Sequence, residues 1–204
     1  MGISERKERE KDEMRKIILD AAFEMFLTEG YSGTSLREIA KKIEYSPATI
    51  YLYYKDKDAL FFDIQARCFK NLLAAYSDVV KIKDPFDRLR QMGYAYMKFN
   101  IDNPQCFNLM FLHNSPLTEF KKENRMEKHG NAVGFLRDTI HECVANNQVK
   151  GSDEMILRLE VWGLTHGLTT LVINNSYKAM GLTKQQVEKH IKVCWENFLM
   201  NIKA

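Results

Sequence analysis

The sequence predicts an all-α fold of about nine helices. Apolar residues recur at three- and four-residue spacing through most of the chain, whereas the alternation typical of β-strands is nearly absent. Residues that favour helix ends separate the periodic segments, among them Gly30 and the pair Ser46-Pro47. With 204 residues, 45% of them hydrophobic, the chain is long enough for one compact domain and a smaller one attached to it.

The first predicted helix covers about residues 4 to 29. Its second half carries an apolar stripe that includes Ile18, Ala22 and Phe26, and the pattern ends at Gly30, a residue suited to the position after a helix. Residues 5 to 13 are charged at every position, and five of these nine residues are acidic. We expect this part to be a solvated or frayed extension of the helix.

A second, short helix is predicted at about residues 35 to 43. Thr34 or Ser35 can cap it, and Glu38 follows Ser35 by three residues, which is the spacing of a capping box. Its apolar stripe consists of Leu36, Ile39, Ala40 and Ile43. The repeat of three and four residues then stops, and a turn follows.

The third predicted helix begins with Ser46 as N-cap and Pro47 at the first helical position, where the missing N–H costs nothing. Two short helices around a tight turn form a helix-turn-helix. At about 100° per residue, Tyr54 lies only about 40° from Ile50, so we expect both to be buried. The positions left at the surface are Ala48, Thr49, Tyr51 and Tyr53. Small residues flanked by hydroxyls suit a helix that lies deep in the DNA major groove.

The charge balance of the amino-terminal part does not by itself indicate nucleic acid. Residues 1 to 57 contain eleven Lys or Arg and eleven Asp or Glu, so the formal charge of +3 arises in the rest of the chain. What matters is the placement of single charges, such as Lys57, which stands at the start of the next helix and can hold a phosphate there. For residues 5 to 13, an arm that touches DNA is the alternative, which the five acids disfavour.

Two segments, GYSGTSLREIAKKI and YSPATIYLYYKDKDALF, closely resemble the N-terminal DNA-binding domain of TetR-family transcriptional regulators. The resemblance extends over about residues 14 to 62. It consists of a long helix ending in Gly-Tyr, a Thr-Ser pair before the second helix, Ile-Ala within that helix, a third helix started by Ser, a Tyr near its end and a Lys before the fourth helix. The third helix of that family reads the DNA.

The resemblance implies a set of DNA contacts. The implied phosphate and groove contacts of the second helix are Thr34 and Arg37, the base-facing residues are Ser46, Ala48 and Thr49, and the backbone-contacting residues are Tyr51, Tyr53 and Lys57. The turn departs from the family pattern, because Ile43-Glu44-Tyr45 replaces a commoner Ala-Gly-Val. We expect the bulky Tyr45 to reach DNA as well, and Glu44 to be mildly unfavourable near phosphates.

The remaining sequence predicts further helices and a second domain. The expected division is residues 1 to 60 for DNA binding and residues 61 to 204 for a larger helical domain that binds an effector and forms a dimer. Its helices are predicted at about 57 to 80, 85 to 102, 117 to 148, 153 to 177 and 183 to 202, with a short aromatic segment at 106 to 114.

The last two predicted helices resemble the dimer interface of the family. Residues 161 to 173 are apolar around much of the helix, so more than one face needs cover, and Gly163 and Gly167 permit close helix approach. Trp162 with His166-Gly167 also resembles a C-terminal variant of the family named for these residues. His166 is then either a hydrogen-bonded core residue or a residue that faces a ligand. Dimers bind palindromic DNA with half-sites about 34–36 Å apart.

An effector pocket is predicted in the aromatic and sulfur-rich middle of the chain. The candidate residues are Tyr96, Phe99, Phe107, Met110, Phe111, His113, Trp162 and His166. Together they can line a mostly apolar cavity with few polar anchors. Ordinary core packing is the alternative for each residue taken singly.

Several classes of function find no support in the sequence. Catalytic motifs such as G-x-S-x-G or H-E-x-x-H do not occur, and the five histidines are dispersed, so we expect neither an enzyme nor a cofactor or metal. The four cysteines lack C-x-x-C spacing, and we expect buried thiols in a reducing compartment. Without a long apolar segment, a soluble cytoplasmic protein is expected.

Together, the sequence and the resemblance predict a transcriptional regulator. It would bind a palindromic operator in double-stranded DNA as a homodimer and be released by a small, largely apolar effector; repression follows what is usual in the family. A DNA-binding chromosome-organising or scaffold protein is one alternative. A helical enzyme or carrier is the other.

Overall fold

The computed structural model of the chain describes residues 2–112, 132–150 and 153–204. These residues are mainly helical, and the β contact among them is an isolated bridge between Val149 and Lys203. The helices, numbered in chain order, are α1 (Ile3–Thr28), α2 (Gly30–Gly33), α3 (Leu36–Lys42), α4 (Pro47–Tyr51), α5 (Lys57–Ala75), α6 (Pro85–Asp102), α7 (Pro104–Phe107), α8 (Ala132–Ala145), α9 (Glu154–Ile173) and α10 (Lys184–Ile202). The all-α prediction is confirmed.

Two compact units make up the chain. The first contains the residues up to Cys68 together with residues 105–112, and the second contains residues 69–104, 132–150 and 153–204. Helix α5 contributes residues to both units, because it continues without interruption across the division. The domain boundary predicted after residue 60 also lies inside α5 and stays a prediction.

The core of the first unit is formed by α1, α3, α4 and the first half of α5. Fully buried side chains from each of these helices meet there, among them Ile18, Phe26, Ile39, Ile50 and Phe61. The rings of Phe26 and Phe61 pack edge to face with centroids 5.2 Å apart. Burying each such side chain contributes about 1.5–3 kcal/mol, so this cluster holds the two short helices in place.

The turn between α3 and α4 follows the pattern that ends many helices in glycine. Glu44 has a φ of 61°, in the left-handed region. Its N–H donates to the Lys41 carbonyl oxygen at 3.2 Å, and the Tyr45 N–H donates to the Ala40 carbonyl oxygen at 2.9 Å. This pair of bonds is a Schellman motif, in which glycine is favoured at the position of Glu44. Glu44, which belongs to the part of the turn that departs from the family pattern, is therefore also the residue with the unfavourable backbone conformation.

The second unit packs α6, α8, α9 and α10 around another apolar core. Arg88 of α6 lies in it, nine-tenths buried, and donates to the Thr139 hydroxyl at 3.3 Å, the Ile82 carbonyl at 3.2 Å and the Glu142 carboxylate at 2.6 Å. These partners satisfy the buried guanidinium. Gly93 on the same helix makes room for the indole of Trp195, since an added Cβ would lie 2.4 Å from ring atoms.

Most predicted helix ends are observed. Ser35, rather than Thr34, caps α3 and accepts from the Glu38 N–H at 3.2 Å. Asp84 and Asp153 cap α6 and α9, and Thr183 caps α10 in a reciprocal capping box. The predicted helix over 57 to 80 ends earlier, at Ala75, and is followed by the 3₁₀ turn Val79–Lys81. Helix α2 was not predicted. Of the segment predicted at 117 to 148, residues 117–131 lie outside the described residues.

The cysteines correct one expectation. Cys68 on α5 and Cys106 on α7 form a disulfide with Cα atoms 5.3 Å apart, and Cys194 is exposed, so the prediction of four buried thiols is wrong. Only Cys143 is a buried free thiol. A separation of 38 residues carried no sign of the pairing, which depends on how the two helices are brought together.

Candidate functional site

Helix α4 is short, and its first turn is held by its own side chains. The Ser46 hydroxyl accepts from the Thr49 backbone N–H at 3.2 Å and lies 2.9 Å from the Thr49 hydroxyl. Pro47 occupies the first helical position, as predicted. Because these bonds close within three residues, the sequence alone determines where the helix begins.

The inner side of α4 anchors the helix to the core of the first unit. Ile50 is fully buried, and Tyr54, just after the helix, is buried as well, as the helical phase predicts. Burial raises the pKa of Tyr54 above its ordinary value, and the Arg15 guanidinium lies 5.8 Å from the centroid of its ring. This phenol is therefore a packing residue rather than a surface contact.

The outer side of α4 is open to solvent. Ala48 is exposed and Thr49 is half-buried, and Tyr51 keeps 53% of its surface exposed. Tyr53 differs from the expectation, because it is half-buried and packs against the core cluster instead of standing free at the surface. The structure thus distinguishes three tyrosines: Tyr54 is buried, Tyr53 is partly covered, and Tyr51 is exposed.

Two of the predicted phosphate contacts have partners within the protein. Thr34 is buried, and its hydroxyl donates to the Gly30 carbonyl oxygen at 2.9 Å. The Lys57 ammonium donates to the carbonyl oxygens of Tyr31 at 2.8 Å and Thr34 at 3.0 Å, and it lies 4.1 Å from the centroid of the Tyr31 ring. Lys57 therefore ties the start of α5 to the end of α2, a structural role that the sequence did not reveal.

The other predicted contacts of the first unit lie at the surface. Arg37 on α3 and Ser46 before α4 are exposed, and Tyr45 keeps 44% of its surface exposed. These side chains, Ala48 and Tyr51 all belong to the helix-turn-helix, so one region of the first unit presents them.

Three of the predicted effector residues come together in the second unit. The Tyr96 hydroxyl lies 2.9 Å from Nδ1 of His166, and the rings of Trp162 and His166 meet edge to face at 5.6 Å. Burial raises the pKa of Tyr96, and a hydrogen bond with the Trp162 side chain opposes this rise. A phenol can both donate and accept, so the direction of the Tyr96–His166 hydrogen bond follows the tautomer of the imidazole.

Burial disfavours the charged imidazolium, so the pKa of His166 is lowered. Trp162 nevertheless keeps 45% of its surface exposed. These three residues form a hydrogen-bonded group at the side of α9, with one face open.

The other predicted effector residues are divided between the two units. Phe107, Met110 and Phe111 belong to the first unit, where Phe107 is fully buried and meets Phe111 at 5.3 Å. Phe99 is half-buried in the second unit. His113 lies outside the described residues.

A set of large exposed apolar side chains lies on α9 and α10 of the second unit. We call it the α9/α10 face, and its large exposed side chains are Met155, Ile156, Leu159, Trp162, Val193 and Met200. Gly163 and Gly167 are exposed on α9, and an added Cβ at either would meet nothing within 4 Å. Among the described residues, therefore, neither glycine makes room for a neighbouring side chain, unlike Gly93.

The described ranges contain neither a metal-binding cluster nor a membrane-spanning helix. No group of three or more His, Cys, Asp or Glu side chains there is placed to hold a metal ion. No helix in the same ranges is both long and apolar enough to cross a membrane.

Comparison with known proteins identifies the family. The family model of bacterial regulatory proteins of the tetR family matches residues 18–64, and a model of tetracyclin repressor-like C-terminal domains matches residues 89–193. The HTH-type transcriptional repressor NicS of Pseudomonas putida is 26% identical over 132 residues, which are 63% of this chain and 62% of NicS. The uncharacterized HTH-type transcriptional regulator YobS of Bacillus subtilis is 28% identical over 98 residues, 48% of this chain and 51% of YobS.

The chain thus spans between half and two thirds of the length of these two relatives. A crystal structure of a TetR family transcription regulator from Marinobacter aquaeolei VT8 shares the fold with a TM-score of 0.72 at 18% identity, covering 97% of this chain and 98% of that one. The two family models account for both the helix-turn-helix and most of the second unit. The chain belongs to the TetR family of bacterial regulatory proteins.

Proposed function

We propose that the protein is a sequence-specific DNA-binding transcriptional repressor, which binds a palindromic operator as a homodimer and is released by a small-molecule effector. It would act in the cytoplasm and catalyse no reaction. The observation that carries the proposal is the exposed outer side of α4, with Ala48 and Tyr51 open to solvent while Ile50 and Tyr54 anchor the helix.

The outer side of α4 suits base reading. Small side chains such as Ala48 let the helix backbone come close to base edges, and the methyl groups of Ala48 and Thr49 can contact thymine. The hydroxyl of Tyr51 and the guanidinium of Arg37 can donate to phosphate oxygens or base edges. Ser46 and Tyr45 flank the same helix. The remaining candidate contacts to the DNA backbone are Tyr53, Thr34 and Lys57. Their side chains already contact other parts of the protein, so a DNA phosphate would have to share them with those partners.

The α9/α10 face supports a dimer. A surface of exposed Met, Ile, Leu and Trp side chains is unusual for a monomer and is typical of an interface between chains. Gly163 and Gly167 leave space on the same helix, so a partner helix could approach closely there. A two-fold pair of helix-turn-helix units would place the two α4 helices on half-sites about 34–36 Å apart.

The group of Tyr96, Trp162 and His166 supports an effector site in the second unit. It combines aromatic surface with hydrogen-bonding atoms, which is the usual composition of a small-molecule site. An effector that binds one dimer state better than the other would shift operator affinity by the ratio of its two affinities. Helix α5, which contributes residues to both units, is the direct covalent connection between such a site and the DNA-binding helices.

The test of DNA reading is an operator-binding measurement. Fluorescence anisotropy with fragments of the upstream region of the chain's own gene should reveal tight binding to one palindrome. Thr49→Ala and Tyr51→Phe should each weaken it by about 5-fold or more, corresponding to about 1 kcal/mol for a lost contact. Thr28→Ala and Tyr94→Phe are matched controls outside the helix-turn-helix. If both α4 variants bind as the wild type does, the assignment of the reading side is wrong.

The same experiment separates the two alternatives. Binding without preference for a palindrome would favour a chromosome-organising or scaffold protein, and absence of DNA binding would favour an enzyme or carrier. Sedimentation equilibrium tests the dimer, since Leu159→Lys places a charge on the α9/α10 face and should yield monomers. Val80→Lys, at an exposed apolar residue of another segment, should leave the dimer intact. A dimer that survives Leu159→Lys would refute this interface.

A further inference from the structure

A groove in the first unit lies between the charged half of α1 and the helix-turn-helix. Its volume is about 560 Å³, and it is open to solvent on one side. The residues that line it are Lys7, Glu10, Lys11, Glu13, Met14, Ile17, Tyr45, Leu52 and Tyr53. Tyr45 and Tyr53 are also among the proposed DNA contacts, so the groove adjoins the surface that would meet DNA.

The charges at the groove differ from the balance seen in the sequence. Within α1, Glu10 pairs with Arg6 at 2.8 Å and Glu13 with Arg9 at 3.6 Å. Both acids that line the groove therefore have a cation of their own helix beside them. Glu8 and Asp12 do not belong to the lining. The five acids that disfavour a DNA contact in the sequence are thus either paired with an arginine of α1 or absent from the lining of the groove.

Two lysines supply the remaining charge of the groove. Lys7 and Lys11 both line it and are exposed, and among the described residues neither belongs to an observed ion pair. They stand four residues apart on one face of α1, about 6 Å along the helix axis. Two ammonium groups at this spacing can bind neighbouring phosphates of one DNA strand.

The opposite wall of the groove is apolar and unusually exposed. Leu52, the residue after α4, keeps 80% of its surface exposed, the largest fraction among the exposed large hydrophobic residues that the structure describes. Tyr45 of the helix-turn-helix and Ile17 of α1 also line the groove, and each is 44% exposed. Packing among the described residues of the first unit does not account for an exposed leucine here. A deoxyribose ring offers an apolar surface that could cover it, next to phosphates that need cations.

We propose that this groove is a second DNA contact, in which Lys7 and Lys11 bind phosphates and Leu52 packs against the sugars of the same strand. The inference rests on the proposed function, because it requires DNA beside α4. Its occupant is the sugar–phosphate backbone rather than base edges, so the contact adds affinity without adding sequence preference. The charged extension of α1 is thereby part of the DNA-binding surface.

The salt dependence of operator binding tests the two lysines. Each phosphate contact contributes about 0.9 to the slope of log K against log salt, so Lys7→Gln with Lys11→Gln should lower the slope of a dimer by about 3.6. The loss of affinity should be largest at low salt and shrink as salt rises. Lys83→Gln with Lys178→Gln removes the same charge from exposed sites of the second unit and should leave the slope unchanged.

A second readout does not depend on the charge of the variant. Operator DNA should protect Lys7 and Lys11 of the wild-type protein from an amine-acetylating reagent, while Lys83 and Lys178 stay reactive. Leu52→Ser removes the apolar surface that would be buried against the sugars and should weaken operator binding by about 5-fold at every salt concentration. Val80→Ser, at another exposed apolar residue, should leave binding unchanged.

The outcomes separate the inference from the proposed function. A wild-type protein that binds no DNA overturns both. If the wild type binds a palindrome but the lysine variant keeps its salt slope, the groove is not a DNA contact and the reading by α4 still stands. The inference also fails if Lys7 and Lys11 remain as reactive in the complex as in the free protein, or if both lysine variants lose affinity equally.

Discussion

Replacing Glu44 by glycine should stabilise the protein, although it removes a whole side chain. Glu44 is held at a φ of 61° by the Schellman motif that ends α3. The side chain of an L-residue makes the left-handed conformation about 1–2 kcal/mol less favourable, and glycine lacks this cost. Against this, glycine loses about 0.5–1 kcal/mol more backbone entropy on folding. The expected net gain in the free energy of unfolding is therefore about 0.5–1 kcal/mol.

Glu44→Ala is the matched control. It removes the same charge but keeps a Cβ atom, so the left-handed strain remains and the free energy of unfolding should change little. Glu44→Asn should lie between the two, because asparagine tolerates this conformation better than other non-glycine residues. Comparison of the three variants separates the backbone effect from the loss of an exposed acid.

The assay is thermal and urea unfolding at one fixed protein concentration, since the stability of a dimer depends on concentration. For a chain of 204 residues, a gain of 1 kcal/mol raises Tm by about 2–4 °C. Equal Tm values for Glu44→Gly and Glu44→Ala would refute the backbone explanation. Operator affinity should rise equally in both variants, because each removes the same negative charge beside the proposed DNA surface.

Three further predictions follow from the packing and titration of single residues. Gly93→Ala should lower the free energy of unfolding, measured in urea, by about 1–3 kcal/mol, because the added Cβ atom would meet the Trp195 ring. Combining it with Trp195→Phe in the same chain should recover part of this loss. The unfolded chain protonates His166 near its ordinary pKa of 6.5, whereas burial lowers the pKa of His166 in the folded chain. The free energy of unfolding should therefore fall as the pH drops below 6.5. His166→Gln should reduce this pH dependence, and an unchanged pH profile in that variant would contradict the prediction. In alkylation followed by mass spectrometry without reductant, Cys194 should react first, while Cys143, whose thiol pKa burial raises to about 12, should stay unmodified until the protein unfolds.

Contacts between residues close in the chain were predictable. Ser46 caps α4 through the N–H of Thr49, and Thr183 caps α10 through Gln186, both within three residues. Such bonds form whenever the backbone turns into a helix, wherever the helix later packs. The burial of Tyr54 and exposure of Tyr51 were predictable for a related reason, since the angle between side chains on a helix follows from their spacing.

Contacts between distant residues were not predictable. Lys57 stands at a position in the sequence where a phosphate contact is expected. Its ammonium instead donates to the carbonyl oxygens of Tyr31 and Thr34, 26 and 23 residues away. Tyr53 is half-covered by a core whose shape depends on several helices. The aromatic residues expected to share one pocket are divided between two units. The reason is that an apolar pattern does not specify which other helix its residues will pack against.

The sequence by itself determined most of the helices and most of their ends, the helix-turn-helix and the family, because these depend on periodicity, capping and motif order within short stretches of chain. The tertiary structure decided the disulfide between Cys68 and Cys106, the inward role of Lys57, the open α9/α10 face and the groove beside Leu52. It also changed the interpretation of the charged start of α1. Five acids count against DNA in a linear sequence, but a helix distributes them around its axis and pairs them with neighbours, so Lys7 and Lys11 are left facing the groove.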